Sequence, residues 1–267
     1  DLVFLGRDEI DFEYLDKLDD YFREIKPDIV INAVGYTAVD KAEIESLKAY
    51  TVNAISLMEI SKYCRKYNSA LIHISTDYVF DGKKNKSYIE SDEAYPLSVY
   101  GKSKLLGEKL IERFTNKYVI IRVSWVFSRY GKNFLNTIFE KCINNLNLNI
   151  VEDQIGGPTS TTQIVKIIKI FCKKIESNDN PWGIYHLSGE PHVSWYEFAN
   201  NILSIILSKG LISSTSIKAI NSDEFGSKAK RPKFSGLSNK KIKFVAKEIN
   251  YDYEYYLEGL INEKLKK

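Results

Sequence analysis

The feature that most constrains this chain is an alternation of short, almost wholly apolar runs with longer segments of helical periodicity. Residues 2–5, 29–34, 70–74, 118–123 and 183–187 form the apolar runs. A strand with one solvated face alternates apolar and polar positions. These runs do not, which is the pattern of strands covered on both faces. Between them, residues 15–25, 42–67, 103–114, 134–144 and 162–175 repeat their apolar positions at helical spacing. Strand–helix alternation of this kind predicts an α/β fold with a doubly wound parallel sheet. After residue 187 the texture changes to a helical stretch at 195–207, a Ser-rich turn, short mixed segments and a closing helix at 251–265. The chain therefore divides into a large α/β unit, residues 1–187, and a smaller C-terminal lobe, residues 188–267.

Composition narrows the classes of function. With 267 residues, 44% of them hydrophobic, the chain can build a sizeable core. The net charge of +3 is spread over interspersed charges of both signs, with no basic stripe to argue for nucleic acid. The basic end at Lys264, Lys266 and Lys267 reads as a solvated terminus. No apolar run approaches the ~20 residues that span a bilayer, so no membrane role is expected. No signal-peptide pattern opens the sequence. Cys64, Cys142 and Cys172 lack metal-ligand spacing and lie in helical patterns, so they read as free thiols in a reducing cytoplasm, and no metal site is expected. His73, inside an apolar run, reads as a hydrogen-bonded core histidine.

A dinucleotide-binding sheet begins with a strand, a Gly-rich turn and a helix whose N-terminus receives the pyrophosphate. No G-x-G-x-x-G or G-x-x-G-x-x-G occurs in this sequence. The first strand of such a sheet is central, here between the strands at 2–5 and 29–34. Leaving it out buries unpaired backbone groups at ~1–3 kcal/mol each. The expectation is an N-terminal strand, Gly-rich loop and helix ahead of residue 1, roughly 20–30 residues long. This chain alone would then bind dinucleotide poorly. The competing expectation is a protein that begins here and has given up the cofactor.

Two segments carry chemistry. Tyr100 and Lys104 stand at i and i+4, which share one face of a helix. An ammonium beside a phenol lowers the tyrosine pKa from ~10 and readies it for proton exchange with a substrate oxygen. Spacing alone does not separate this from a surface tyrosine beside a solvated lysine. The run at 70–74 leads into Ser75 and Thr76, a strand end of the kind where open α/β sheets place their sites. A threonine hydroxyl there can bond a substrate carbonyl, or simply satisfy local backbone groups.

Six segments in order resemble the extended short-chain dehydrogenases, and within them the dTDP-4-dehydrorhamnose reductase family. They are NAVGYTAVDKAE at 32–43, STDYVFDG at 75–82, SVYGKSK at 98–104, RVSWVF at 122–127, DQIGGPT at 153–159 and KRP at 230–232. The resemblance covers nearly the whole chain. It implies a Rossmann-type NAD(P)-binding domain over 1–187 and a substrate-binding lobe over 188–267. It also implies NADPH or NADH as cofactor, a sugar-nucleotide substrate and, as one possible assembly, a homodimer. Thr76, Tyr100 and Lys104 match the family's catalytic threonine, tyrosine and lysine, the last two also facing the cofactor. Asp77, Tyr78 and Val79 match a segment lining the substrate cleft, and Trp125 a tryptophan that contacts the sugar. Asn32 and Ala33 match the strand end beside the cofactor, and Asp11 and Phe12 the pair near the adenine. Arg7 sits where an arginine can pair with a 2′-phosphate, or is an ordinary solvent-facing charge.

The resemblance implies reduction of the C4 keto group of a nucleotide-linked 4-keto-6-deoxysugar, dTDP-4-dehydrorhamnose first among them. Dehydratases of the superfamily carry Glu after Thr-Asp. Tyr78 stands there instead, which points to carbonyl reduction without loss of water. The alternative is a non-catalytic, reductase-like regulatory or binding subunit, similar to the regulatory subunit of methionine adenosyltransferase. That subunit departs at the catalytic threonine, whereas this chain keeps Thr76. Turnover of a keto-sugar nucleotide separates the two readings.

Overall fold

Four of the five apolar runs join in one parallel sheet in the computed structural model, which describes residues 2–6, 8–15, 17–212 and 215–265. In chain order the first elements are α1 (Leu18–Ile25), β1 (Ile29–Asn32), α2 (Val39–Ala42), α3 (Ser46–Tyr50), a π-helical turn (Thr51–Ile55), α4 (Ser56–Lys66) and β2 (Ala70–Thr76). A 3₁₀ turn (Asp77–Val79), α5 (Val99–Phe114), β3 (Tyr118–Val123), β4 (Val126–Phe127), α6 (Phe134–Ile143) and β5 (Leu148–Val151) follow. Next come β6 (Ile155–Gly156), β7 (Thr159–Ser160), α7 (Thr161–Glu176), β8 (Gly183–Leu187), β9 (Val193–Ser194) and α8 (Trp195–Ser208). The chain closes with β10 (Ile217–Ile220), α9 (Ser222–Phe225), α10 (Lys240–Val245) and α11 (Tyr253–Leu265). The sheet order is β1-β2-β3-β8, each strand parallel to its neighbour.

Successive side chains of a strand point to opposite faces, and the apolar clusters follow that rule. Leu71 and Ile120 pack with Leu18 and Phe22 of α1, Leu57 and Ile60 of α4, and Ile111 of α5. Ile72, Val119 and Ile121 pack on the other side with Ile164, Ile167 and Phe171 of α7 and Ile242 of α10. Ile120 and Ile121 are both fully buried, each contributing about 1.5–3 kcal/mol relative to exposure. A third cluster lies beyond the sheet. It joins Trp125 and Phe127, Leu135, Ile138 and Phe139 of α6, and Leu148 to Phe198 and Ile202 of α8 and Leu257 and Ile261 of α11.

Three expectations are corrected. Residues 2–5 form no strand: Leu2, Val3 and Phe4 are 70%, 54% and 82% exposed. A strand exists by its ladder, and no ladder among the described residues includes this segment. The helix expected over 42–67 is interrupted, because tertiary bonds draw residues out of the helical path. Glu43 accepts from the Val99 backbone at 2.9 Å and Glu45 from the Tyr36 hydroxyl at 2.8 Å. In the π turn, Asn53 accepts from the Tyr36 backbone at 2.8 Å and donates to Ser103 Oγ at 2.9 Å. Finally, α5 starts at Val99 rather than Ser103. Ser98 caps it by accepting from the Gly101 backbone at 3.1 Å, which outweighs the poor helix propensity of Gly101.

Candidate active site

Parallel strands bring their carboxyl ends to one edge of the sheet, where open α/β folds hold their ligands. Asn32, Thr76 and Ser124 all stand at or just past such ends, with Thr76 paired in register to Val123. The Thr76 hydroxyl donates to Asp77 Oδ1 at 3.1 Å and accepts from the Tyr78 backbone at 3.2 Å. Tyr100, in the first turn of α5, carries its phenol into the neighbourhood of the Thr76 side chain. Its ring meets that of Tyr78 edge-on, with centroids 5.9 Å apart. Helix, strand end and 3₁₀ turn thus converge on two hydroxyls.

The electrostatics around the phenol differ from the expectation. Burial raises the Tyr100 pKa to about 12, with the Thr76 side chain opposing and the Asp77 charge adding to the rise. Lys104 does not hold it down, because its ammonium is bonded elsewhere. Lys104 Nζ donates to the Ile74 carbonyl at 2.7 Å and lies 3.0 Å from His73 Nε2. Burial pulls the Lys104 pKa down to about 8, while the Glu108 charge raises it. Asp77 is likewise buried, and its pKa is pushed up to about 6 by that burial, against hydrogen bonds from Ser235, Ser124 and Thr76. Ser124 Oγ donates to Asp77 Oδ2 at 3.0 Å.

The remaining expected site residues divide. Asn32 is buried and accepts from the Val34 backbone at 2.8 Å, turning the chain outward so that Ala33 is exposed at the sheet edge. Tyr78 lies near Arg231, whose charge opposes the rise that burial gives its phenol pKa. The Val79 side chain is fully buried among Phe80, Tyr88 and Leu237, so that only its backbone can face a cleft. Asp11 is exposed in a turn, its carboxylate accepting from the Glu13 backbone at 2.9 Å, and Phe12 packs against the α1 cluster. Arg7 lies outside the described residues.

Trp125 occupies a left-handed backbone conformation, φ 43°, and is 9% exposed. Its ring stacks on Trp195 at 3.5 Å and 6°. Gly156 presses against the indole: a Cβ there would lie 2.5 Å from ring carbon Cε2. Trp195 escaped the sequence reading because 70 positions separate the pair and no periodicity links them. Arg231 and Asp40 escaped although both lie in segments that carry the resemblance. They join across the chain, Arg231 Nη2 to Asp40 Oδ2 at 2.6 Å. The buried Glu108–Arg122 pair, 2.6 Å apart, also went unread, since one partner lies in an expected helix, the other in an expected strand, and no linear pattern joins them.

A doubly wound sheet with threonine, tyrosine and lysine gathered at the strand ends defines a nicotinamide-dependent reductase of the short-chain dehydrogenase type. The chain belongs to the family described as the RmlD substrate binding domain, whose model matches residues 1–265. It is 39% identical over 244 residues to a dTDP-4-dehydrorhamnose reductase of Aggregatibacter actinomycetemcomitans, covering 91% of this chain and 83% of that one. A dTDP-4-dehydrorhamnose reductase of Bacillus anthracis, solved in complex with NADP, superposes with a TM-score of 0.88 at 31% identity, covering 97% of this chain and 89% of that one. A dTDP-4-dehydrorhamnose reductase of Clostridium acetobutylicum gives a TM-score of 0.89 at 32% identity, covering 98% and 90%. Among the described residues, no helix is long and apolar enough to cross a membrane.

Proposed function

We propose that this protein reduces the C4 keto group of dTDP-4-dehydrorhamnose to give dTDP-L-rhamnose, with NADPH or NADH as reductant. The observation that carries the proposal is the Thr76–Tyr100 hydroxyl pair at a strand end, with the buried Lys104 on the same helix as Tyr100. The named relatives support the substrate.

The residues fit the nicotinamide–ribose end of such a cofactor. Gly35, just past β1, leaves open the space a Cβ would fill 3.8 Å from Lys104 Nζ and 3.3 Å from Asn53 Oδ1. The ammonium keeps one N–H beyond those given to Ile74 and His73, and the exposed Ala33 lies at the same edge. In this proposal Asn32, Ala33, Tyr100 and Lys104 hold that end, with Asp11, Phe12 and Arg7 toward the adenine. Residues 1–187 serve the cofactor and 188–267 the sugar, the latter joined by Trp125 through the third cluster.

The nicotinamide, when bound, supplies hydride to C4. Tyr100 gives its phenol proton to the oxygen as alkoxide charge develops there. A phenol that burial keeps protonated to about pH 12 is fully loaded at neutral pH, and an alkoxide is basic enough to take that proton. Thr76 orients the carbonyl oxygen by turning to it the hydroxyl hydrogen that otherwise goes to Asp77 Oδ1. Lys104, its ammonium bonded to Ile74 and His73 and not to the phenol, holds the ribose. Tyr78 supplies no carboxylate for dehydration. Asp77, Tyr78, the Val79 backbone and Trp125 line the sugar side.

The test is nicotinamide absorbance with dTDP-4-dehydrorhamnose and the full-length protein, followed by identification of the released 6-deoxysugar. A folded protein that oxidises no cofactor overturns the proposal. Lys104→Met is expected to lose both rate and cofactor affinity. Unchanged cofactor affinity, by titration, would remove the ribose contact from the scheme. Trp125→Phe keeps an apolar ring but shrinks the stacked surface. It is expected to weaken sugar-nucleotide binding about 2- to 12-fold, the range of one aromatic contact, with cofactor affinity unchanged. A loss confined to the cofactor would take Trp125 out of the sugar site.

A further inference from the structure

We infer that His73 is a positioning residue for Lys104: as a neutral acceptor it takes one of the three ammonium hydrogens and thereby aims the one left over toward the reaction site. The inference rests on the proposed reductase function and adds a residue to it.

The geometry begins in β2. Leu71, His73 and Ser75 alternate onto the face covered by α5, where Leu71 shares a cluster with Ile111, His73 meets Lys104 and Ser75 donates to Glu108. His73 is fully buried and Lys104 is 4% exposed, so water does not compete for the contact. An ammonium has three donors and no acceptor. At 3.0 Å, the ammonium of Lys104 can only donate to His73 Nε2, which leaves the imidazole proton on the buried Nδ1, on the side of the Asn32 backbone. The Ile74 carbonyl, 2.7 Å away, takes a second hydrogen. With two of three directions held by adjacent residues of one strand, the third is no longer free to rotate, and the open face at Gly35 lies 3.8 Å from Nζ.

The arrangement requires an uncharged ring. An imidazolium would set two like charges 3.0 Å apart in a site closed to water. Burial first, and the Lys104 charge second, hold the His73 pKa well below its ordinary range. The other groups bearing on this corner are Glu108, one turn along α5, itself held by Arg122 from β3, and Tyr100 and Asp77 at the substrate side. A histidine that only fills space would have no effect on lysine titration. A histidine that accepts from the ammonium stabilises the charged form, and removing it lowers the Lys104 pKa further.

The test compares His73→Leu with His73→Gln in the full-length protein, since the Gln amide oxygen reaches roughly where Nε2 stands. Two readouts are taken: the pH profile of kcat, and the titration of the Lys104 side chain by carbon-13 NMR, assigned with Lys104→Met. For His73→Leu the expected result is a loss of about tenfold or more in kcat/KM. Its alkaline limb and the Lys104 titration should both move down by about one pH unit, the size of one charge-assisted hydrogen bond. His73→Gln should restore both to near wild type. A folded His73→Leu whose Lys104 titrates where the wild type does overturns the inference, as does a folded His73→Gln that behaves like His73→Leu. If the wild type itself turns over no keto-sugar, the proposed function fails, while the NMR titration still decides the role of His73.

Discussion

Tyr100→Phe is expected to lower kcat by on the order of 10²–10⁴-fold, the usual loss when a positioned general acid is removed. The substitution takes away the phenol proton and little else. The ring stays edge-on to Tyr78 at about the same spacing, and α5 keeps its Ser98 cap. Thr76 still donates to Asp77. Cofactor binding should largely survive, because Lys104, Asn32 and Ala33 still hold that end, so that single-turnover rates fall far more than cofactor affinity. A variant within twofold of wild type would remove Tyr100 as the proton donor and shift attention to a solvent proton.

Arg122→Met is expected to destabilise the fold by about 3–5 kcal/mol, read by urea denaturation, because it strands a carboxylate in the interior. Glu108 is 1% exposed, and Arg122 gives it Nε at 3.0 Å and Nη2 at 2.6 Å. The guanidinium also lies over the Phe80 ring, 5.2 Å from its centroid, and Met keeps part of that packing. The loss should come chiefly from the unpaired charge. Arg122→Met combined with Glu108→Leu should recover much of it, since apolar replacement of a whole buried pair is often neutral or stabilising. A single variant within 1 kcal/mol of wild type would mean that the Ser75 hydroxyl and buried water suffice for Glu108.

The strands were legible because burial on both faces writes itself as continuous apolar residues. Residues 118–123 and 183–187 fall where the structure has β3 and β8. The run at 2–5 carries the same signal and forms no strand, because hydropathy reports what a segment would bury and not whether a partner stands beside it. Helix interruptions were illegible for a related reason. Nothing in the periodicity of 42–67 shows that Glu43 and Glu45 reach other segments, or that Asn53 ties the turn to Tyr36 and Ser103. At the site, the resemblance led to Thr76, Tyr100 and Lys104, and α5 sets Tyr100 and Lys104 one turn apart. The direction of the ammonium was hidden, since it depends on a backbone carbonyl and a buried ring from another strand. The Trp125–Trp195 stack needs two chain segments brought together by the third cluster, which a linear pattern does not encode.

Helix α5 rests on main chain at two glycines. A Cβ at Gly101 would fall 2.2 Å from the Tyr78 carbonyl oxygen, and one at Gly107 would fall 2.1 Å from that of Asn53. Backbone touching backbone has no rotamers to adjust, so the helix is seated like a rail on two fixed bearings. The spacing between the phenol of Tyr100 and the hydroxyl of Thr76 is then set by the path of the chain and insulated from exchanges among the leucines and isoleucines nearby. In the proposed reductase the sugar side lies elsewhere, at a cluster built around Trp125 and α8 that shares no member with the seats of α5. A lineage built this way can retune which sugar it accepts through one set of residues without disturbing the chemistry held by the other.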